Sequence, residues 1–459
     1  MGTISDKLIR IINTKEDIRQ ALISKGYDVP TSIPFKEYAK MILDLPCKVD
    51  SFPDIEGIVA RYSASGLTNE QMAANPVWVD KTGNGHDIQL KNFAWKEGSG
   101  ISDVYPGALV FDGVDDYGTC NNFPILTKEK GYTVVALRQW INNQNNDAYL
   151  LSNAINSTTL GAFVFERNKN SRTYSFGSTT VVSVNHNPIT YQTSNRYNSI
   201  KITAGTILEG NDVLLVGTNY KTGANLYANA AIWELVFLDH DATEEELTKI
   251  KDYFVKTYPW LFPDQAWTVV GKTNEDEDRA TIANITGNGN NLVCLNLGFI
   301  EGSGYNEEGE YAGYLVTDGV DDKITSSTFE MGNDWTVIGD WELINTGKNA
   351  NAGIVKFDSI VIYNYNPILI NIKNGRNNLI PDQNTVNAIC SDGRIYSKDW
   401  KESIYNEETE STSKNLLTIG YSGNAYTKIA FKNLAIYPTV LSREDCIKAY
   451  NYLQTLKAK

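Results

Sequence analysis

Histidine, cysteine and methionine are scarce in this 459-residue chain, which contains 3, 5 and 4 of them. The cysteines are far apart, odd in number and without a Cys-x-x-Cys motif: Cys47, Cys120, Cys294, Cys390 and Cys446. This distribution argues against a zinc site and against a disulfide framework. We expect small apolar side chains buried in a protein that is assembled in reducing cytosol.

Positive charge and long apolar runs are also in short supply. The chain has 41 Lys and Arg residues and 55 Asp and Glu residues, which gives a net charge of −14. That balance argues against nucleic-acid binding, because a phosphate backbone needs a basic surface. Apolar runs such as residues 232–238 are far shorter than the roughly 20 residues of a membrane span, so no membrane insertion is predicted. The first residues show no basic region followed by an apolar one, so no export signal is predicted.

Tyrosine and glycine are abundant instead, at 26 and 35 residues, and this composition favours strands and tight turns. The strongest feature is a long internal repeat. Three motifs recur in the same order, 204 to 206 residues apart: Thr82–Gly85 at Thr286–Gly289, Glu97–Gly100 at Glu301–Gly304, and Asp112–Asp116 at Asp318–Asp322. A repeat of this length is the size of a whole β domain and is too long for a solenoid unit.

Two homologous domains are therefore predicted, at residues 49–262 and 263–459, joined at a segment with prolines at 259 and 263. Runs of β-branched and aromatic residues between Gly, Asn and Asp clusters predict an antiparallel sandwich in each copy. Each copy closes with a helix, because Thr243 and Ser442 are N-cap residues ahead of an amphipathic pattern. The predicted buried faces are Leu247, Ile250 and Phe254 in the first helix and Ile447, Tyr450 and Leu453 in the second.

Residues 1–48 differ in kind from the rest of the chain. Capping patterns and helically spaced apolar residues predict three short helices there. So few apolar residues cannot form a sufficient core alone, and the segment should therefore pack against a partner. We expect it to attach the chain to another protein, or to further copies of itself in a homo-oligomer, through Leu8, Ile11, Ile12, Ile18, Leu22, Phe35, Tyr38 and Ile42.

The stretch 106–117, which ends in Phe-Asp-Gly-Val-Asp-Asp-Tyr, resembles the signature of the laminin-G-like, concanavalin A-like lectin/glucanase superfamily in its bacterial and phage form. The second copy departs from it, with Thr317 in place of Phe111 and Lys323 in place of Tyr117. The resemblance covers about 410 residues (459 − 49). It implies a mainly β fold: two tandem concanavalin A-like (jelly-roll) antiparallel sandwiches preceded by a small helical N-terminal segment.

The segment around residues 14–39 is similar to one that recurs in tail and baseplate proteins of tailed phages. The two resemblances together imply a structural virion protein, in a fibre, a tail or a capsid decoration, that is synthesised in the host cytoplasm. Its expected partners are other virion proteins and glycans of the host surface. A bacterial surface adhesin that binds carbohydrate is the alternative, and a glycosidase is a third hypothesis.

Six aspartates are the candidate metal ligands: Asp112, Asp115 and Asp116 in the first copy, and Asp318, Asp321 and Asp322 in the second. Carboxylates and turn carbonyls are calcium ligands, although the twelve-residue calcium loop is missing from this sequence. Asp-Gly is also ordinary turn chemistry, because aspartate accepts hydrogen bonds from nearby backbone amides. We favour the turn role, leave calcium open and expect no required cofactor.

The two acidic residues of a glycosidase strand, in the Glu-x-Asp-x-x-Glu pattern of the superfamily's glucanases, do not occur in this sequence. We therefore predict no enzyme. Glycan binding needs exposed aromatic rings beside polar groups, and loops rich in Tyr and Asn occur at 191–197, 363–366 and 421–426. No single tyrosine stands out. Because positions 111 and 117 have changed in the second copy, we expect the copies to bind a ligand unequally.

Overall fold

The computed structural model describes residues 15–16, 18–19, 52–126, 132–141, 148–153, 155, 164–167, 175–176, 180–181, 197–202, 211–219, 227–344, 353–357, 360–363, 368–372, 378–380, 386–404, 415–422 and 425–458. The chain divides into two compact units, residues 1–54 and residues 55–459.

In the first unit, the described residues 15, 16, 18 and 19 are helical. Arg19 Nη1 donates a hydrogen bond to Glu16 Oε1 over 2.9 Å. Ile18, one of the eight predicted partner contacts, is half-buried. The other seven lie outside the described residues: Leu8, Ile11, Ile12, Leu22, Phe35, Tyr38 and Ile42. Attachment through this segment stays a prediction.

The first half of the second unit is built from antiparallel strands. Their bounds are β1 Ile58–Ser63, β2 Val77–Trp78, β3 Ile88–Lys91, β4 Gly100–Ile101, β5 Leu109–Asp112, β6 Tyr117–Cys120, β7 Tyr132–Trp140, β8 Ala148–Ser152, β9 Val164–Arg167, β10 Ser175–Phe176, β11 Thr180–Val181, β12 Tyr197–Ile202, β13 Leu214–Val216 and β14 Asn229–Leu238. One sheet has the order β12-β7-β14-β5-β4, with β1 also on β14, and the other has the order β11-β10-β9-β8-β13-β6-β3-β2.

The second half repeats this plan. Its strands are β15 Gln265–Thr268, β16 Thr281–Ile282, β17 Leu292–Leu295, β18 Gly304–Asn306, β19 Tyr314–Val316, β20 Lys323–Phe329, β21 Thr336–Leu343, β22 Gly353–Phe357, β23 Ile360–Tyr363, β24 Ile368–Ile372, β25 Asn378–Ile380, β26 Val386–Cys390, β27 Arg394–Ser397, β28 Glu402–Ile404, β29 Asn415–Ile419, β30 Tyr421–Ser422, β31 Ala425–Tyr426 and β32 Ile429–Tyr437. One sheet runs β18-β19-β32-β21-β26-β27-β28 with β15 also on β32, the other runs β16-β17-β20-β29-β22-β23-β24-β25, and β30 pairs with β31.

Each half has its own apolar core, which draws on both of its sheets. The side chains alternate as a half-exposed strand requires: in β3, Ile88 and Leu90 are buried and Gln89 and Lys91 are exposed. These features confirm the predicted fold class, which is mainly β with two tandem antiparallel sandwiches. The cysteines within the described residues are free and buried: Cys120, Cys294, Cys390 and Cys446.

Three helices accompany the strands in the described part of this unit: α1 Asn69–Ala74, α2 Glu244–Thr257 and α3 Arg443–Gln454. A 3₁₀ helix, Pro259–Leu261, joins the two sandwiches. The N-caps predicted at Thr243 and Ser442 are confirmed, and Thr243 forms a capping box with Glu246. Helix α1 was not predicted, although Thr68 and Gln71 form a capping box there as well. No helix within the described residues is long and apolar enough to cross a membrane.

The predicted buried face is right for α2 and partly wrong for α3. Leu247, Ile250 and Phe254 of α2 are buried, together with Tyr253. In α3, Leu453 is buried as predicted, but Ile447 and Tyr450 are only half-buried. The helix is rotated so that the residues packed inwards are Cys446, Ala449, Tyr452 and Leu453. Tyr450 lies edge-on against Trp400, with ring centroids 5.6 Å apart. Its ring therefore packs beside the buried face of the helix and not within it.

A buried ionic network fastens α2 and the segment after it to the first sandwich. Arg61 Nε lies 3.3 Å from Glu234 Oε2, and both side chains are at most 5% exposed. The hydroxyl of Tyr258 donates to Glu234 Oε1 over 2.8 Å, and Arg61 Nη2 donates to the Tyr253 hydroxyl over 2.8 Å. Burial raises the pKa of Tyr258 well above its usual value, and the negative charge of Glu234 raises it further. The tyrosine therefore stays protonated as a donor.

The two sandwiches meet through buried aromatic side chains. The ring of Trp233 in β14 lies edge-on to Tyr452 of α3, with centroids 6.4 Å apart, and both residues are fully buried. The Tyr437 hydroxyl donates to the Trp260 carbonyl over 3.0 Å. The ammonium of Lys448 lies 4.4 Å from the centre of the Trp260 ring. Each sandwich thus buries side chains that would be exposed if it stood alone.

Replacing Trp233 by alanine should weaken the contact between the sandwiches. The substitution removes a fully buried indole and leaves the Pro106 carbonyl, to which Nε1 donates over 2.9 Å, without that bond. We expect a loss of about 3–5 kcal/mol in the free energy of unfolding. We also expect one urea transition for the parent protein and two for the variant. Lys432→Ala is the matched control, because Lys432 has the equivalent position in β32. An effect of equal size in both variants would contradict a specific role for the aromatic contact.

Candidate functional site

The Asp-Gly-Val-Asp-Asp motif forms the turn between β5 and β6. Asp112 Oδ1 accepts hydrogen bonds from three backbone N–H groups, those of Val114 at 2.7 Å, Asp115 at 3.2 Å and Asp116 at 3.4 Å. The intervening Gly113 has a φ of 78°, and a Cβ there would lie 2.8 Å from Cβ of residue 229 at the start of β14. Glycine is required by the backbone conformation and by the close approach of β14.

The turn between β19 and β20 has the same hydrogen bonds. Asp318 Oδ1 accepts from the N–H groups of Val320 at 2.7 Å, Asp321 at 3.3 Å and Asp322 at 3.4 Å. The glycine at 319 again has a φ of 78°, and a Cβ there would lie 2.9 Å from the backbone nitrogen of Lys428. In both copies the first aspartate holds the turn through one carboxylate oxygen.

The last aspartate of the first turn is fully buried. Asp116 Oδ1 accepts a hydrogen bond from Ser99 Oγ over 3.1 Å, and its Oδ2 accepts one from the Asp112 N–H over 3.0 Å. Burial raises the pKa of the Asp116 carboxyl to about 7. The two hydrogen bonds oppose this shift, while the negative charges of Asp112 and Asp115 add to it. The carboxyl is therefore ready to take up a proton near neutral pH.

The equivalent residue of the second turn, Asp322, is also fully buried but has different bonds. Ser303 Oγ donates to Asp322 Oδ2 over 2.7 Å, and the Asp318 N–H donates to the same oxygen over 2.8 Å. Within the described residues, Asp322 Oδ1 is buried without a hydrogen-bond partner. Burial raises the pKa of this carboxyl too. The two copies thus share a backbone arrangement and differ at one buried oxygen.

An asparagine supports the middle aspartate of each turn. Asn92 Nδ2 donates to the Asp115 carbonyl and Asn296 Nδ2 donates to the Asp321 carbonyl, both over 3.0 Å. These asparagines have φ values of 68° and 66°, a left-handed conformation that asparagine tolerates better than most residues. Asp115 and Asp321 are exposed. Their backbones are therefore fixed while their side chains face solvent.

Beside the first turn lies a group that we name the first tyrosine cluster: Lys91, Asp115, Tyr117 and Tyr227. The rings of Tyr117 and Tyr227 have centroids 6.2 Å apart with an interplanar angle of 40°. Lys91 Nζ lies 5.5 Å from the centre of the Tyr117 ring. Burial raises the pKa of Tyr227, and the nearby Tyr117 and the Asp115 carboxylate raise it further. Both rings are half-buried, so part of each faces solvent.

Beside the second turn lies the second tyrosine cluster, formed by Lys323, Tyr421 and Tyr426. The two rings have centroids 4.8 Å apart with an interplanar angle of 45°. Lys323 Nζ lies 5.2 Å from the centre of the Tyr421 ring. These three residues are half-buried, and Lys323 follows the last aspartate of the turn directly.

Both clusters contain a tyrosine pair and a lysine, but not at the same positions. Tyr227 and Tyr426 are equivalent, 199 residues apart (426 − 227) like the caps of the closing helices. Tyr117 and Lys323 each begin the strand after the turn, so a lysine replaces a tyrosine there. Tyr421 in β30 supplies the ring that Lys323 lacks. The counterpart of Lys91 of β3 is Leu295 of β17, because these residues pair with Tyr117 and Lys323, respectively. A tyrosine pair with a lysine is therefore present in both copies.

The sequence motif predicts the turns but not the tyrosine clusters. The loop 421–426, one of the predicted loops rich in Tyr and Asn, supplies both rings of the second cluster, whereas Tyr117 and Tyr227 lie outside the predicted loops. The 199-residue offset between Tyr227 and Tyr426 is a signal that would have singled out this pair. Most of the loop 191–197 lies outside the described residues, as does most of 363–366.

The arrangement suits recognition of a polar ligand with an apolar face. Tyrosine offers a flat apolar ring with a hydroxyl at its edge. The ammonium group supplies hydrogen-bond donors and the exposed carboxylate supplies acceptors.

Comparisons with known proteins give little beyond the fold. No known family model matches the chain, and no curated protein matches its sequence. Among solved structures, the chain is similar to Trypanosoma rangeli sialidase in complex with sialic acid at 9% identity and a TM-score of 0.31, covering 82% of this chain and 65% of the sialidase. The chain therefore spans less than two thirds of the sialidase's own length.

Two further solved domains also show a low similarity to the chain. The botulinum neurotoxin serotype D binding domain is 10% identical with a TM-score of 0.31, and the match covers 84% of this chain and 98% of that domain. Domain 4 of AbnA, an extracellular arabinanase from Geobacillus stearothermophilus in complex with arabinotriose, is 11% identical with a TM-score of 0.25, covering 41% and 100%. With TM-scores below 0.5, we transfer no residue, ligand or activity from these proteins.

The buried carboxyl of Asp116 should make the first sandwich less stable as the pH rises. A pKa of about 7 in the folded state lies above the ordinary value of 3.8. The folded protein therefore keeps a proton that the unfolded chain loses, and stability falls as the pH rises towards 7. Asparagine resembles the protonated acid, so Asp116→Asn should raise the melting temperature by about 2–4 °C at pH 8 and by a smaller amount at pH 5. Calorimetry across this range measures the effect.

Asp115→Asn is the control, since it removes an exposed charge from the same turn. If the benefit of Asp116→Asn were the same at pH 5 and pH 8, the carboxyl would not titrate in this interval and the assignment would be wrong.

Proposed function

We propose that this chain is a structural protein of a tailed-phage virion, in a fibre, a tail or a capsid decoration, whose two sandwiches bind host-surface glycans through the two tyrosine clusters. The observation that carries the glycan part is the presence of a tyrosine pair and a lysine beside the same aspartate turn in both copies. The virion part rests on the resemblance of the N-terminal segment to tail and baseplate proteins.

Sugar recognition uses the groups that the clusters offer. A pyranose ring has a face of C–H groups that stacks on an aromatic ring and a rim of hydroxyls that need hydrogen-bond partners. Tyr117 and Tyr227 in the first sandwich, and Tyr421 and Tyr426 in the second, are only half-buried, so their rings offer such a face. The exposed Asp115 accepts hydrogen bonds from hydroxyls, and Lys91 or Lys323 donates them.

The two tyrosine clusters differ from ordinary tyrosine packing because a tyrosine pair with a lysine occurs at the same turn in both copies. A third tyrosine pair, Tyr311 and Tyr314, has ring centroids 6.3 Å apart, and Lys432 Nζ lies 5.5 Å from the Tyr314 ring. The position equivalent to Tyr314 in the first sandwich is Ala108, so this pair is not repeated. A tyrosine pair with a lysine, in contrast, is present beside the turn in both copies, even though the lysine and one ring have changed position. Retention of the same groups from different positions favours a shared binding role.

Removing one ring from each cluster should weaken glycan binding. The full chain is screened on an array of bacterial surface oligosaccharides, and the best oligosaccharide is then titrated by calorimetry. We expect Tyr227→Ala and Tyr426→Ala each to weaken binding at its own sandwich by about tenfold, equivalent to about 1.4 kcal/mol, because each loses a stacking surface. The double variant should bind about tenfold more weakly at both sandwiches.

Tyr311→Ala is the matched control, since it removes a ring from the unrepeated pair and should leave the affinity unchanged. The two single variants also test the expectation that the copies bind unequally. If neither cluster variant alters binding, or if the array shows no ligand, the glycan part of the proposal is wrong.

The virion part predicts that the chain is present in purified phage particles. Mass spectrometry of particles should detect it. A chain lacking residues 1–48 should be made as a soluble protein with unchanged β-type circular dichroism and should be missing from particles. Incorporation of the shortened chain would show that the N-terminal segment is not the attachment module, and absence of the full chain from particles would end the virion proposal.

A further inference from the structure

Two of the free cysteines within the described residues lie together in the second sandwich. Cys390 is the last residue of β26, and Cys446 lies near the start of α3. The Cys446 thiol is hydrogen-bonded to the Cys390 sulfur, and both residues are 0% exposed. The fold therefore brings two sulfur atoms together although they are 56 positions apart in the sequence (446 − 390).

Thr336 holds the end of this strand against the start of the helix. It pairs with Cys390 across β21 and β26, and its Oγ1 lies 3.7 Å from Cys390 Sγ. The same Oγ1 accepts a hydrogen bond from the Leu441 N–H over 2.9 Å, directly before the cap of α3. Arg394 Nη2 donates to the Leu441 carbonyl over 3.0 Å. Hydrogen bonds on two sides thus fix the start of α3 beside the end of β26.

The two thiols differ in how readily they lose a proton. The hydrogen bond with Cys446 lowers the pKa of Cys390; burial opposes this effect, and the Thr336 hydroxyl and the positive charge of Arg394 add to it. The hydrogen bond with Cys390, burial and the negative charge of the Cys390 thiolate raise the pKa of Cys446. Because the thiolate is the nucleophilic form of cysteine, Cys390 is the attacking member of the pair.

Cys120 and Cys294 lie in a different environment. Cys120 Sγ donates a hydrogen bond to Asn122 Oδ1 over 3.2 Å, and burial raises the pKa of this thiol. Burial raises the pKa of Cys294 to about 12. These two residues behave as small apolar side chains of the core, and they are the natural controls for the pair.

We propose that Cys390 and Cys446 form a disulfide when hydrogen peroxide oxidises the protein, and that this bond ties α3 to the sheet of the second sandwich. The exposed residues Asp392 and Glu444 each lie two positions from one of the cysteines, so the pair is close below the surface and within reach of a small oxidant. In reducing cytosol both thiols stay reduced. Tyr452 of α3 packs against Trp233 of the first sandwich, so the bond secures a helix that both sandwiches contact.

The reaction consumes one peroxide and forms two molecules of water. The Cys390 thiolate attacks one oxygen of the peroxide, the O–O bond breaks, and the leaving hydroxide takes up the proton that Cys390 had released. Cys390 is then a sulfenic acid, which condenses with a neighbouring thiol. The Cys446 sulfur attacks the Cys390 sulfur, the S–O bond breaks, and the hydroxyl leaves as water with the Cys446 proton. Two thiols are oxidised and the peroxide is reduced.

Counting thiols in the full chain tests the proposal. The folded protein is treated with hydrogen peroxide, catalase removes the excess, and free thiols are alkylated in denaturant and counted by mass spectrometry. We expect the count to fall from five to three (5 − 2) and dithiothreitol to restore it. Trypsin cuts after Lys and Arg, so the disulfide should link peptides 377–394 and 444–448. The melting temperature should rise by about 5–10 °C, because the bond closes a long loop.

Two variants test the different roles of the thiols. Cys446→Ala removes the second thiol, so peroxide should leave Cys390 as a sulfenic acid that dimedone labels. Cys390→Ala removes the attacking thiol, and Cys446 should then stay unlabelled. Cys120→Ala is the matched control, because it removes another buried thiol and should preserve both the linked peptides and the shift in melting temperature. Circular dichroism checks that each variant is folded.

The parent protein alone decides whether the disulfide forms. A count that stays at five while the protein remains folded, or a disulfide between other cysteines, would overturn the proposal. Equal labelling of the two single variants would overturn the assignment of Cys390 as the attacking thiol. These results are independent of glycan binding and of incorporation into particles, because they concern only the thiols of the purified chain.

Discussion

The long strand that ends each copy, β14 in the first sandwich and β32 in the second, is the constraint on which the rest depends. β14 pairs with β1, β5 and β7, and β32 pairs with β15, β19 and β21. The start of β14 packs so closely on the aspartate turn that only glycine fits at 113. Its middle carries Trp233 to the other sandwich, and its end leads into the closing helix. Site, interface and helix are therefore positioned by one element.

Much of this fold could be predicted from the sequence, because its elements carry local signals. The strands have β-branched and aromatic runs between turn residues, and the helix caps at Thr243 and Ser442 are recognisable from side-chain chemistry alone. The orientation of α3 could not be predicted in this way. Ile447 and Tyr450 are larger apolar residues than Cys446 and Ala449, but Cys446 and Ala449 are the ones that are buried. The face of α3 that is buried is determined by the surface on which the helix packs and not by the helix sequence alone.

The candidate site could be predicted only in part, for a similar reason. The aspartate turns are contiguous in sequence, and their hydrogen bonds span two to four residues, so the motif reveals them. The tyrosine clusters join residues more than 100 positions apart in the first copy, such as Tyr117 and Tyr227. The second cluster is also hard to recognise by comparing the two copies in sequence. Lys323 occupies the position of Tyr117, and the second tyrosine ring comes from Tyr421 in β30 instead. The buried Phe111 of the first copy likewise has a polar counterpart, Thr317, in the second. The Thr317 hydroxyl donates a hydrogen bond to the Thr427 carbonyl over 2.7 Å and accepts one from the Ile429 N–H over 3.0 Å.

The anchoring of the closing helices has a consequence for how this gene can change. In the first copy, Tyr253 of α2 contacts the buried pair of Arg61 and Glu234. The equivalent tyrosine of α3, Tyr452, packs against Trp233 of the other sandwich, and Asn433 takes the place of Glu234. A crossover that replaced β14 by β32 would put Asn433 in place of Glu234 and Lys432 in place of Trp233. It would remove the carboxylate that faces the buried Arg61, at a cost of several kcal/mol. The two repeats are therefore not interchangeable, and an exchange between them should yield a less stable protein.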